Sequence, residues 1–193
     1  MTRYAAFLRG VNVGGVNRKM AAVVQALQAA GFANVRTMFA SGNVLLESRS
    51  GTTAVRKNAE QALRSEFGYD AWVLVYEMGE LAEISAAYPF GREVEGRHSY
   101  ITFVSDAGVL GELSGFAEQP GDGENIRAGS RVIYWQVPRT STLDSTIGKT
   151  MGKKRFKSST TTRNLRTIDE VLQKGLAPRT SKSTSRLRKT GTK

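Results

Sequence analysis

Between Met1 and Glu77 the hydrophobic residues change their spacing in an order that few folds accommodate. Tyr4–Arg9 (YAAFLR) is a short apolar run that ends in a charge, as a buried strand reads. A loop rich in glycine and asparagine runs from Gly10 to Lys19. From about Met20 to Ala30, Val23, Val24 and Leu27 fall on one helical face. Gly31 followed by Phe32 marks the end of that helix, because glycine takes the left-handed conformation and the next apolar residue packs back. Val35–Ala40 and Asn43–Ser48 predict two strands, with Ser41-Gly42 as the small residues of a tight hairpin. Thr52–Phe67 carries Val55, Ala59, Leu63 and Phe67 at helical spacing with Gly68 as its stop, and Ala71–Glu77 predicts the next strand. The order βαββαβ is that of the ferredoxin-like split βαβ unit.

The remainder partly repeats this order. A helix is expected at about 79–87, then a strand (Ser99–Val104), a helix (Val109–Ala117), two strands (Asn125–Ala128 and Arg131–Val137) and a polar helical stretch near Leu143–Met151. Thr167-Ile168-Asp169-Glu170 has the form of a capping box, so the last helix is expected from Ile168 to Gly175. No final strand is evident for this second unit. The expected architecture is α+β, with two ferredoxin-like halves at 1–77 and 78–175, the second less regular and closed by a C-terminal helix. Beyond Pro178, Leu187 is the only large apolar residue, so 176–193 is expected to be a disordered basic tail.

Arg9-Gly10-Val11-Asn12-Val13-Gly14-Gly15 with Asn17, then Gly31-Phe32, Val35-Arg36-Thr37 and Ser41-Gly42-Asn43, closely resemble the bacterial domain of unknown function 1697 family. Tyr88-Pro89-Phe90 is similar to its central motif, and Thr161-Thr162-Arg163-Asn164 with Thr167 to its C-terminal one. The resemblance runs from about residue 3 to residue 175 and implies an α+β fold of two ferredoxin-like halves. It implies no activity. The chain departs from the family pattern at Pro138-Arg139-Thr140-Ser141-Thr142-Leu143-Asp144, where the family tends to have Pro-x-Gly and then Ser-Lys-Leu.

Charge is distributed unevenly. Residues 1–144 carry 14 Lys/Arg and 15 Asp/Glu, a sum of −1; residues 145–193 carry 14 Lys/Arg against Asp169 and Glu170, a sum of +12. A neutral body with a basic end fits an anionic partner for that end, or a solvated extension. The absence of cysteine excludes disulfides and thiolate sites, and the single histidine, His98, does not make a zinc site. No cofactor and no metal are expected. No apolar run approaches the ~20 residues of a membrane span, and the N-terminus lacks the form of a signal peptide, so a cytoplasmic protein without membrane contact is expected.

The loop Arg9–Lys19 is the first candidate site. Glycines such as Gly14 and Gly15 let backbone N–H groups converge, a helix N-terminus adds positive potential, Arg9 supplies charge, and Asn12 and Asn17 can orient an anion. The alternative is that the glycines only turn the chain. Arg36, Ser41 and Asn43 join the candidate set if the hairpin faces this loop. As a nucleophile Ser41 lacks a neighbouring base, and its turn joins two strands rather than a strand and a helix. Thr162, Arg163 and Asn164 combine a hydroxyl, a guanidinium and an amide suited to phosphate or carboxylate, or else satisfy backbone groups in a long connection. A meeting of Arg163 with Arg9 across the two halves would favour the functional reading. Gly148-Lys149-Thr150 lacks the earlier glycine of a P-loop, since that position is Leu143. His98 reads as an exposed strand end, and Asp169 and Glu170 as partners of a helix dipole.

Lys149, Lys153, Lys154, Arg155 and Lys157, with Phe156 interleaved, and Arg186, Arg188 and Lys189 in the tail, form a basic segment able to bind nucleic acid with little sequence preference. None of the common nucleic-acid reading motifs accompanies it. The leading expectation is a protein that binds an anionic or phosphate ligand and touches nucleic acid weakly through its basic C-terminus. The alternatives are an enzyme on a phosphorylated or carboxylated small molecule, clamped by Arg9, Asn12, Arg36 and Arg163 but without an evident general base, and a protein-interaction module marked by an exposed apolar patch.

Overall fold

The computed structural model describes residues 1–9, 20–39 and 41–178 of the 193. The first sheet contains β1 (Thr2–Arg9), β2 (Ala33–Met38), β3 (Asn43–Ser48) and β4 (Trp72–Glu77); helices α1 (Met20–Ala29) and α2 (Thr52–Phe67) connect them. Its strand order is β2-β3-β1-β4, antiparallel throughout. After α3 (Met78–Ala86) a second sheet forms from β5 (Arg97–Val104), β6 (Asn125–Gly129), β7 (Val132–Pro138) and β8 (Thr160–Asn164). Helices α4 (Ala107–Glu118) and α5 (Thr146–Met151) lie between its strands in sequence, and α6 (Leu165–Leu176) follows β8. Its order, β6-β7-β5-β8, repeats that of the first sheet strand for strand.

Both faces of each sheet are buried, which is why β1 reads as a continuous apolar run and not as an alternation. Tyr4, Ala6 and Leu8 face α1 and α2 and join Val23, Leu27, Val55, Ala59 and Leu63 in one core. Ala5 and Phe7 face the other way, into a core shared with the second sheet. There Phe103 of β5 lies 4.9 Å, centroid to centroid, from both Phe7 and Tyr76. α3 adds Met78 and Leu81 to this core, and α6 adds Leu165, Ile168 and Val171. The outer face of the second sheet carries Trp135 and Val137, covered by Leu113 of α4 and by Ile147, Met151 and Phe156.

Local sequence accounts for most boundaries. Gly31 at φ +90° ends α1 and lets the Phe32 amide donate to the Leu27 carbonyl, and Gly68 at φ +63° ends α2. The hairpin pairs Met38 with Asn43 and turns on Gly42 at φ +74°.

Three expectations are corrected. The second unit does have a final strand: β8 pairs with β5 from Tyr100–Asn164 to Val104–Thr160. Its sequence, TTTRN, carries no large apolar residue, yet Thr160 and Thr161 are buried and β-branched residues suit the pleat. α6 begins at Leu165, three residues before Ile168, because the Asn164 side chain caps it by accepting from the Arg166 amide. Asp169 is turned away from the helix end to Arg92 and to the Ser85 hydroxyl. The polar stretch near Leu143–Met151 is helical only from Thr146, with Ser145 as cap. The tail expected from 176 onward falls at 179–193 outside the described residues.

Because Phe103 is fully buried between the sheets, Phe103→Ala is expected to cost about 3–5 kcal/mol in urea unfolding. Leu143→Ala, at a residue 84% exposed, should stay within ~0.5 kcal/mol.

Candidate functional site

Arg9 continues the inward row of Ala5 and Phe7 to the end of β1. Its guanidinium reaches the second half and donates to the Thr160 carbonyl. Arg163 makes the reciprocal reach. Register sets it opposite Ile101, an inward residue, so it points at the first sheet. Its guanidinium lies 5.2 Å from the centre of the Phe7 ring. Nε donates to Asn43 Oδ1 at 2.6 Å, Nη1 to Thr161 Oγ1 at 2.7 Å and the Thr162 carbonyl at 2.9 Å, and Nη2 to the Leu8 carbonyl at 3.1 Å. Among the described residues four of its five N–H donors are thus engaged, leaving one on Nη2.

Asn43 fixes this arrangement from below. Buried at the start of β3, it donates through Nδ2 to the Met38 carbonyl and the Ser41 hydroxyl. Ser41 Oγ therefore acts as an acceptor and keeps its own proton to give. Arg9, Arg163, Ser41 and Thr162 all line one cleft of about 590 Å³ at the seam of the two halves. Its remaining walls include Leu8, Tyr100, Trp135, Thr142, Leu143 and Met151.

No carboxylate lines this cleft among the described residues, and none there pairs with Arg9 or Arg163. Burial pulls the Arg9 pKa below the usual guanidinium range. Burial, with the neighbouring charge of Arg9 second, brings Arg163 down to about 10. Desolvation disfavours both charged guanidinium groups, and an anion in the cleft would favour them.

A second cavity of about 410 Å³ contrasts with it. Its Arg92 and Arg166 are paired with Asp169 and Glu93, and its Arg97 donates to the Gly123 carbonyl.

The structure thus brings Arg9, Ser41, Asn43, Thr162 and Arg163 together. Asn164 lies apart, lining the second cavity with its side chain committed to the α6 cap. Arg36 also lies apart, on β2, where it donates to the Lys174 carbonyl beside a shallow recess lined by Arg3 and Glu47. Asn12, Gly14, Gly15 and Asn17 fall outside the described residues. His98 is half-buried, not the exposed strand end expected: its Nδ1 stands 3.0 Å from Thr142 Oγ1 and 3.3 Å from the Tyr100 hydroxyl. Tyr100, Trp135 and Thr142 were not legible as site residues, because the β5–β7 pairing that sets Tyr100 against Trp135 spans a helix and a strand.

In the basic segment, Lys149, Lys153 and Lys154 are exposed and Lys157 half-buried. Arg155 pairs with Glu112 and covers the Phe156 ring. Phe156 is buried in the outer core and presents no ring to a base, contrary to its expected interleaved role. Arg186, Arg188 and Lys189 fall outside the described residues.

Fold and site together define an α+β protein of two similarly ordered sheets with an arginine-lined cleft at their seam. The chain belongs to the family described as "Protein of unknown function (DUF1697)", whose model matches residues 1–134. The similar motif at 161–167 lies beyond that match. The solved structure of the conserved bacterial protein SP0830 from Streptococcus pneumoniae superposes with a TM-score of 0.77 at 22% identity, covering 92% of this chain and 99% of its own. The two share a fold. An unknown protein from Galdieria sulphuraria aligns at 10% identity and a TM-score of 0.26, over 84% of this chain and 98% of its own. No curated protein matches the sequence.

The hydrogen bond between Arg163 and Asn43 joins the halves, so Arg163→Met and Asn43→Ala are each expected to cost about 1–3 kcal/mol. In a double-mutant cycle followed by urea unfolding, the double variant should lose clearly less than the sum of the two.

Proposed function

We propose that this protein binds an anionic ligand, a phosphate or carboxylate group, in the cleft between its halves. The observation that carries the reading is the pair Arg9 and Arg163, both depressed by burial and facing one cleft that no carboxylate lines among the described residues. An anion would accept from the second Nη2 proton of Arg163, from Arg9 and from the Ser41 hydroxyl, and such charge-assisted bonds are among the strongest available to a protein. Asn12, Gly14, Gly15 and Asn17 enter as further anion donors, since their loop leaves directly from Arg9.

A second reading, weak contact with nucleic acid, has its own support. Lys149 lies on α5 beside Gly148, and Lys153 follows Gly152, and both glycines line the cleft. Exposed cations therefore border its rim, and a polyanion held there would be bound by counterion release. The basic-arm part of this reading, Arg186, Arg188 and Lys189, rests on sequence alone. The enzyme alternative gains no base among the described residues that line the cleft, and its clamp is weakened by the separation of Arg36. The interaction-module alternative has for its surface the exposed large hydrophobics among the described residues, Met1, Phe39, Val94, Leu143 and Leu176.

The same proposal treats each half, 1–77 and 78–175, as a ferredoxin-like unit, supported by the common strand order. Among the described residues no helix is long and apolar enough to cross a membrane; a cytoplasmic location is part of the proposal.

Calorimetry with inorganic phosphate and pyrophosphate tests the anion site. Binding to the full chain is expected, and Arg9→Gln should weaken it about tenfold or more, as loss of a charge-assisted hydrogen bond does. Absence of binding at low salt would falsify the reading. For nucleic acid, anisotropy of a labelled oligonucleotide should fall steeply with salt and weaken when Lys149, Lys153 and Lys154 are changed together to Gln.

A further inference from the structure

We infer that the ligand of this cleft carries a flat aromatic group beside its anion, the chemistry of a nucleoside phosphate. The inference rests on the anion site proposed above and concerns the other end of the same cleft. Tyr100 and Trp135 stand directly opposite each other on β5 and β7. Their rings stack with centroids 4.3 Å apart and planes 24° apart, and both line the cleft with Arg9 and Arg163.

The pair is held rigidly. Trp135 is only 3% exposed, and its Nε1 donates to Thr102 Oγ1 at 2.9 Å. Ile147, Met151 and Phe156 belong to the core that backs it. The Tyr100 hydroxyl is within 3.3 Å of His98 Nδ1, and the His98 ring meets the Tyr100 ring edge-on at 83°. Tyr100 is half-buried, with one side taken by Trp135. On its other flank β8 sets Asn164 opposite and Thr162 beyond, side chains too short to cover an aromatic ring. A fixed ring that keeps an open part in a cleft is a stacking platform, and aromatic stacking tolerates any base because every base has a π-face.

The rest of the cleft suits the same class. Its volume, about 590 Å³, falls within the roughly 300–1,000 Å³ of small-molecule sites. A lone phosphate would use only the arginines, whereas Leu8, Leu143 and Met151 add apolar wall to the same cleft. Thr142, whose Oγ1 lies 3.0 Å from His98 Nδ1, adds a hydroxyl for the polar edge of a sugar or base. Charge, a stacking ring and a hydroxyl in one cleft match the parts of a nucleoside monophosphate.

Trp135 provides the readout. In a Trp72→Phe background it is the sole tryptophan, and its fluorescence is titrated with AMP, ribose 5-phosphate, adenosine and inorganic phosphate. AMP is expected to quench Trp135 and to bind about tenfold or more tighter than ribose 5-phosphate, the range of one stacked base. Tyr100→Leu should bring AMP down to the affinity of ribose 5-phosphate and leave inorganic phosphate unchanged, while Tyr100→Phe, which keeps the ring, should retain AMP. If AMP binds no tighter than ribose 5-phosphate, the aromatic part is overturned and the anion site stands, a comparison that needs no Tyr100 variant to fold. If neither phosphate compound binds, the anion site itself fails and this inference with it.

Discussion

Each of the two sheets has two apolar faces, and four faces cannot be covered by the helices that lie between the strands. α1 and α2 cover one face of the first sheet, and α4 and α5 one face of the second. The remaining two faces are buried against each other through Phe7, Tyr76 and Phe103, with α3 and α6 completing the shared core. Burial of this kind contributes about 25 cal/mol for each Å² of apolar surface removed from water. It is nondirectional, so it brings the sheets together without fixing how they sit.

Direction comes from the polar groups at the edge of that contact. Arg9 crosses from the first half to a backbone carbonyl of β8, and Arg163 crosses back to Asn43 and the Leu8 carbonyl. Among the described residues the hydrogen bonds of both guanidinium groups go to neutral oxygens, which eases their burial without cancelling the charge. Arginine is suited to this role because its planar fork engages several acceptors at once and its charge is weakly hydrated. The consequence is a seam that is structurally complete and electrostatically unbalanced. The same residues that align the halves leave positive charge in the cleft between them; burial lowers the pKa of both, and the charge of Arg9 adds to the lowering at Arg163.

Legibility followed the range of the interaction. The first half could be read almost element by element, because its helices stop at Gly31 and Gly68 and its hairpin turns at Gly42. The second half was read up to β7 and then lost at β8, whose threonines look like a loop until Phe103 and Thr161 are seen paired across β5. The capping box at Thr167 misled for a related reason. Leu165 and Ile168 both reach the shared core, so α6 starts one turn earlier and takes Asn164 as its cap. Of the nominated ligand residues, Arg9, Ser41, Asn43, Thr162 and Arg163 converge, but Arg36 and Asn164 are drawn to other partners.

The sequence by itself determined the local elements, the concentration of charge in the last quarter of the chain and the residue types available for an anion. Those depend on spacing, on glycine and on composition, which act over a few residues. Only the tertiary structure decided that Arg9 and Arg163, 154 positions apart, would share a cleft, and that Tyr100 and Trp135 would stack within it. Those contacts arise from strand order and from the burial of one sheet on the other. Neither is encoded in any short segment, because a strand's neighbours are chosen by the whole chain.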